Sequence, residues 1–180
     1  MTGQLKSSSD PTSIVDLESF PKASVALVFG SSGGIGGALV EAIGAANRFE
    51  HAVSFSRNTS PSIDLLDESS LERAATFAAA KGELRLVIDA TGFLHDERQE
   101  PEKGWRQLDA AKLARSFALN AIGPALIMKH VLPLLPRSGK VYSCTNAAPI
   151  ASAASRMRLR AFNLAGTCGE WFRRRPPRLR

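Results

Sequence analysis

Ser24-Val25-Ala26-Leu27-Val28-Phe29-Gly30-Ser31-Ser32-Gly33-Gly34-Ile35-Gly36-Gly37 is the stretch whose reading decides the fold. Its first six residues form a short apolar run that Gly30 ends, the signature of a buried strand. A glycine-rich turn follows. Ile35, Leu39, Ala42, Ile43 and Ala46 then recur at helical spacing. The local order is strand, glycine turn, helix.

Gly30, Gly34 and Gly36 give the spacing Gly-x-x-x-Gly-x-Gly. A dinucleotide pyrophosphate needs backbone N–H groups and the positive end of a helix dipole aimed at it. It also needs an approach that side chains would block, and glycine has none. The strand before and the helix after make the motif credible as a cofactor turn. The alternative is a flexible glycine loop without a ligand.

Outward from that turn, strand and helix signals alternate. His51 to Ser56 reads as a second strand, ended by Arg57-Asn58. Ser69 to Lys81 reads as a helix with Leu71, Ala74, Ala75 and Ala78 on one face, and Gly82 stops it. Leu84 to Asp89 is a third strand, a long Ala/Leu-rich helix runs from about Asp109 to His130, and Lys140 to Cys144 is a further strand. This alternation predicts an α/β fold with a Rossmann-like, doubly wound parallel sheet. After Ser143 the strand signals stop, so the sheet reads as incomplete at its C-terminal end. The expected organisation is a disordered leader over 1–21, a dinucleotide-binding domain over 22–145 and a divergent Ala/Arg-rich tail over 146–180.

The 180 residues suit one domain with a real core, and 44% hydrophobic and 22% charged residues are ordinary for a globular chain. The formal net charge of +6 is uneven. Residues 1–150 carry 15 Lys+Arg against 16 Asp+Glu, whereas 151–180 carry eight Arg and one Glu. The body therefore gives no nucleic-acid signal. No apolar run approaches the ~20 residues of a membrane span, and no secretion signal is read at the start. No membrane partner and a cytoplasmic location are expected. Cys144 and Cys168 have no metal-ligand spacing and form no disulfide framework. His51, His95 and His130 fall in no ligand or nucleophile pattern, so no metal is expected.

Several motifs in order resemble the short-chain dehydrogenases/reductases. Gly30-Ser31-Ser32-Gly33-Gly34-Ile35-Gly36 looks like their cofactor turn, with Ser32 and Ile35 among its contacts. Asp64-Leu65 resembles the Asp-hydrophobic pair that holds the adenine; the alternative is a helix N-terminal charge. Asp89-Ala90-Thr91-Gly92 resembles the Asn-Asn-Ala-Gly segment, with an aspartate replacing the first asparagine. Asn120 matches the helix asparagine that organises a proton relay; the alternative is a solvent-facing helix residue. Gly139 to Ser143 resembles the strand that ends at the catalytic serine, for which Ser143 or Thr145 is available. Phe93-Leu94-His95, Pro101-Glu102-Lys103 and Asn120 to Ala125 are similar to the C-factor-like branch. The resemblance covers about residues 22–142. It implies hydride transfer between a nicotinamide cofactor and a small carbonyl or alcohol substrate, and pairing of copies through the helix that carries Asn120 into a homo-oligomer.

An acidic residue after the second strand accepts from a ribose 2′-OH and repels a 2′-phosphate. Here Arg57 stands in that region, which favours NADP over the alternative, NAD. The other reading of Arg57 is a solvated loop arginine.

The resemblance fails at the chemistry. Family enzymes use a tyrosine acid and a lysine four residues later that lowers its pKa. The one tyrosine here, Tyr142, is followed four residues on by Asn146, and no lysine follows Lys140. Aligning Ala161-Phe162-Asn163 with the segment beyond that dyad puts Ser155 and Leu159 in its place. The abrupt compositional change fits a reading-frame slip as well as a divergent tail. Without the helix that follows the dyad, the strands at 25–29, 84–88 and 140–144 are expected to lack cover on one face.

Overall fold

The computed structural model describes residues 17–143, together with the strand segments 159–163 and 167–169. The chain runs β1 (Val25–Phe29), α1 (Gly34–Ala45), β2 (His51–Phe55), α2 (Glu68–Ala79), β3 (Leu84–Asp89), α3 (Ala110–Phe117), α4 (Gly123–Val131), β4 (Lys140–Ser143), β5 (Leu159–Asn163) and β6 (Thr167–Gly169). The sheet order is β2-β1-β3-β4-β5-β6. Strands β1 to β5 are parallel, and only the β5–β6 pair is antiparallel. The α/β, Rossmann-like reading of the sequence holds.

Alternate side chains of each strand point to opposite faces. Val25, Leu27, Phe29, Val87 and Val141 pack with Leu71, Ala74 and Ala78 of α2 and Ile127 and Val131 of α4. Ala26, Val28, Leu86 and Ile88 pack on the other side with Ile43 of α1 and with Phe20. Helices thus cover both faces, the doubly wound arrangement.

The packed body starts before residue 22. Phe20 is only 6% exposed, and Leu17 packs beside it. Phe20 stacks against Phe49 with ring centroids 5.3 Å apart, and the Lys140 ammonium lies 5.0 Å from its ring. Arg48 donates to the carbonyls of Phe20 at 2.5 Å and Glu18 at 2.8 Å. Residues 1–16 of the expected leader lie outside the described residues.

The expectation of uncovered strands is corrected at the first two of them. Every residue of β1 is buried, and so are Leu84, Leu86, Val87 and Ile88. The Leu17–Phe20 segment joins α1 on that face and supplies cover that a reading of the strand–helix pattern omits. Beyond β4 the short strands β5 and β6 add to that edge of the sheet.

Asp109 caps the long helix by accepting from Lys112 N at 3.0 Å. The helix is continuous from Ala110 to Leu134, 25 residues with a mean hydropathy of 1.4. By length and composition it could cross a membrane, which differs from the reading that no apolar run approaches that length. Its apolar side has another use here, because Gly123, Pro124, Ile127 and Val131 are buried on the body of the protein. Between α3 and α4 the residues Ala118–Ile122 form a π turn. Pro124 has no N–H, and its ring would collide with the carbonyl four residues back. A wider turn before it relieves that conflict.

Candidate functional site

The glycine turn sits at the carboxyl edge of the sheet, between the ends of β2 and β3. Gly30 N donates to Phe55 O at 2.8 Å, and Ser31 N shares that carbonyl at 3.2 Å. Gly30 has φ +84°, a left-handed conformation that favours glycine. A Cβ at Gly30 would lie 2.6 Å from Ala90 O, so the Asp89–Gly92 segment presses directly on the turn. A Cβ at Gly36 would lie 2.2 Å from Gly30 O. Gly36 is therefore required by packing inside the turn. Gly34 differs, since nothing lies within 4 Å of the position a Cβ would take.

Helix α1 begins at Gly34, and no side chain caps its N-terminus. Its first N–H groups have no intrahelical partners. They face an edge where Ser32, Gly33 and Gly34 are exposed and Ile35 is 46% exposed. An uncapped, side-chain-free helix end of this kind suits an anionic group.

Arg57 follows β2 by two residues and is exposed. It forms no ion pair or side-chain hydrogen bond among the described residues. Its loop is held by Ser56 N to Thr59 Oγ1 at 2.9 Å and Asn58 N to Ser56 Oγ at 3.1 Å. Ile63 N donates to Ser56 O at 3.0 Å, which brings Asp64 and Leu65 to the same end of the sheet. Asp64 is exposed, and its carboxylate accepts from Leu66 N at 2.9 Å. Leu65 is half-buried against α4, where a Cβ at Gly123 would come within 2.8 Å of its own Cβ.

Asp89 is fully buried at the end of β3. One carboxylate oxygen accepts from Thr91 N at 3.0 Å and Thr91 Oγ1 at 2.5 Å. The other accepts from Ser143 Oγ at 3.1 Å. Burial pushes the Asp89 carboxyl up, while the bonds from Thr91 and Ser143 pull it down. The side chain is committed to neighbouring protein groups. Any contact of this segment with a cofactor would come from its backbone or from Gly92, which is exposed.

Ser143, read from sequence as a catalytic serine, is 6% exposed and gives its hydroxyl proton to Asp89. With that proton engaged, the hydroxyl cannot also donate it to a substrate oxygen. The other serine-position residue, Thr145, lies outside the described residues, as do Ser155 and Leu159's side chain.

Asn120 sits in the π turn. Its Nδ2 donates to Phe93 O and its Oδ1 accepts from Phe93 N, both at 2.7 Å. The side chain therefore clamps the chain just beyond Gly92, and the reading of a purely solvent-facing residue does not hold.

The sequence did not indicate the second clamp on this loop. Asp96 pairs with Arg115 of α3 through both terminal guanidinium nitrogens, and the Arg115 guanidinium stacks 4.6 Å over the Phe93 ring. The Arg115 guanidinium holds the Asp96 carboxyl well below the usual carboxylate range. Gln99 is buried and donates to Ser116 Oγ at 3.0 Å. These partners stand 17 to 19 residues apart with no local motif. His130 and Lys129 pair with Glu68 of α2, which makes His130 a structural residue, as expected. Among the described residues no cluster of His, Cys, Asp and Glu could hold a metal ion.

No protein-family model matches the sequence, and no curated protein sequence does. Solved structures do resemble the fold. A dehydrogenase/reductase from Sinorhizobium meliloti superposes with a TM-score of 0.58 at 17% identity, over 69% of this chain and 54% of that one. A short-chain type dehydrogenase/reductase from Mycobacterium ulcerans gives 0.59 at 19% identity, over 76% and 60%. A short-chain dehydrogenase/reductase from Serratia marcescens gives 0.54 at 21% identity, over 69% and 59%. The chain thus spans between about half and three-fifths of the length of these structures. At these identities the likeness is one of fold: the chain has the Rossmann-like fold of short-chain dehydrogenases/reductases.

Proposed function

We propose that the chain is a nicotinamide-dinucleotide-binding protein of the short-chain dehydrogenase/reductase type, with NADP(H) as the preferred cofactor. The observation that carries this reading is the turn itself. Gly30 and Gly36 are fixed by backbone packing, and Gly34 is left open beside an uncapped helix end. An open glycine with uncommitted N–H groups suits a pyrophosphate, and exposed Ile35 offers an apolar contact beside it. Arg57, exposed and without an ion-pair partner among the described residues, supports the preference for a 2′-phosphate. A bound cofactor would supply or accept hydride, and the reaction class is reduction of a small carbonyl compound or its reverse.

In this chain that chemistry is impaired. General acid catalysis contributes roughly 10²–10⁴-fold, and these 180 residues contain no Tyr-x-x-x-Lys pair. Engagement of the Ser143 proton by Asp89 points the same way. The reading favoured alongside it is therefore cofactor binding without turnover, as in a protein that senses NADP(H). Fluorescence titration with NADPH and an absorbance assay with a panel of small ketones and aldehydes test both. Saturable binding with no measurable turnover is expected. Absence of binding would end the proposal. Turnover at ~1–10³ per second would instead restore a catalytic role, with Tyr142 the first acid to replace.

A further inference from the structure

Two loops flank the glycine turn, and both rest on one turn of helix. Phe29, the last residue of β1, is in register with Phe55 of β2 on one side and with Asp89 of β3 on the other. The loops that follow β2 and β3 therefore leave the sheet level with the glycine turn, two strand spacings or about 10 Å apart across it. The loop after β2 is braced along its length. Ile63 is buried, and its N donates to Ser56 O at 3.0 Å. Asp64 N donates to Ser70 Oγ of α2 at 2.9 Å. Leu65 then meets Gly123, the first residue of α4. The loop after β3 is held by Asn120 through Phe93 N and O. Asn120 and Gly123 lie within one helical turn of each other, in the π turn and at its end.

Gly123 has φ −54°, an ordinary helical value at which alanine is the better helix former. Its reason for being glycine is Leu65. A Cβ at Gly123 would lie 2.8 Å from Leu65 Cβ, 3.2 Å from its Cδ2 and 3.3 Å from its Cγ. The nearest of these, Leu65 Cβ, moves only with its backbone, so no change of rotamer relieves the contact. Helix α4 has no room to retreat. Its Ile127 and Val131 are fully buried in the core, and Lys129 and His130 pair with Glu68 of α2. A methyl at 123 must therefore displace the 63–66 loop, the turn that carries Asn120, or both.

We propose that the turn over 118–123 is a strut that holds the two loops in one fixed relation across the glycine turn, and that Gly123 is a positioning residue for a dinucleotide bound there. The positioning role rests on the cofactor reading above. Walls set before binding reduce the ordering that a ligand must impose. Gly123 thus acts through Leu65 on one loop and through Asn120 on the other.

Hydrogen exchange on the ligand-free wild type, Gly123→Ala and Asn120→Asp tests the strut. Gly123→Ala should accelerate exchange at Phe93 N by roughly fivefold or more, as the low end of overpacking strain allows. That gain is read over and above any change at the buried amides of β1, which report global opening. Asn120→Asp keeps the side chain's size and its acceptance from Phe93 N but sets an acceptor against Phe93 O. It should accelerate exchange at Ile63 N and Asp64 N. Unchanged exchange at Phe93 in Gly123→Ala, or at Ile63 and Asp64 in Asn120→Asp, would overturn the strut. Should Gly123→Ala fail to fold, Asn120→Asp decides alone. NADPH titration tests the positioning role, and Gly123→Ala should bind more weakly by a factor similar to its gain in exchange. Wild-type affinity in that variant would overturn the role. A wild type that binds no NADPH would end the cofactor reading and the positioning role with it, while exchange at Phe93, Ile63 and Asp64 would still decide the strut.

Discussion

Replacing Gly36 and Gly34 by alanine separates two roles that the motif alone runs together. Read from sequence, either glycine clears the path of a pyrophosphate. In the fold, a methyl at Gly36 would stand 2.2 Å from Gly30 O, 2.7 Å from Gly30 C and 3.2 Å from Ser31 Cα. All three are backbone atoms of a turn already held by Phe55 O and pressed by Ala90, so no flexible side chain can move aside. Overpacking of this kind costs ~1–3 kcal/mol. In a domain of this size, ~2–4 °C accompanies each kcal/mol, so Gly36→Ala should melt roughly 2–12 °C lower. Gly34→Ala meets no atom within 4 Å and begins a helix, where alanine is the better former by ~0.5–1 kcal/mol. It should therefore melt at or slightly above the wild-type temperature yet bind NADPH at least tenfold more weakly, because the methyl projects into the space left for phosphate. Circular dichroism melts and NADPH fluorescence measure the two effects. A Gly36→Ala protein as stable as wild type would refute the packing argument. Unchanged NADPH affinity in Gly34→Ala would remove the open glycine from the binding site.

Two further outcomes follow from the same edge of the sheet. Arg57→Asp replaces an exposed cation with a repelling charge and should weaken NADPH binding more than NADH binding; equal losses in paired titrations would show that Arg57 is merely solvated. Asn120→Ala should leave Phe93 N and O without their 2.7 Å partners, at a cost of ~1–3 kcal/mol for groups denied an alternative. Hydrogen exchange at Phe93 should accelerate in that variant, and unchanged protection there would mean that the clamp is not needed to hold the loop.

The parts of this fold that were legible in sequence are those whose causes are local. The β1–turn–α1 unit is encoded by an apolar run, obligatory glycines and a 3.6-residue period within 22 consecutive residues. The Ala-rich face of α2 is local in the same sense. What stayed hidden depends on partners distant in sequence. The Asp89–Ser143 bond joins residues 54 apart, and it converts a serine that reads as catalytic into one facing inward. The Asp96–Arg115 pair has no motif to announce it. Phe20 lies in a Ser/Pro-rich stretch whose composition suggests disorder, and only the shape of the sheet face makes it a core residue. Strands β5 and β6 arise in Ala/Arg-rich sequence without the apolar alternation that would mark them.

The Leu17–Phe20 segment joins contacts that are near in sequence with one that is far. Ser19 and Lys140, which its neighbourhood brings to 3.5 Å, are separated by 121 residues of chain. Loop-closure entropy grows only by ~0.6 kcal/mol per doubling of length, so this long return is thermodynamically tolerable. Its kinetic consequence is larger, because contacts between distant residues form slowly. During synthesis, β1 and α1 leave the ribosome early, while Lys140 arrives only with β4. Until then Phe20 can lie on its sheet face only without that partner. The contacts of this stretch with Arg48 and Phe49 need only the first 49 residues of the sequence, so the segment can settle on β1 and α1 early, and the contact with Lys140 is the part that waits for β4.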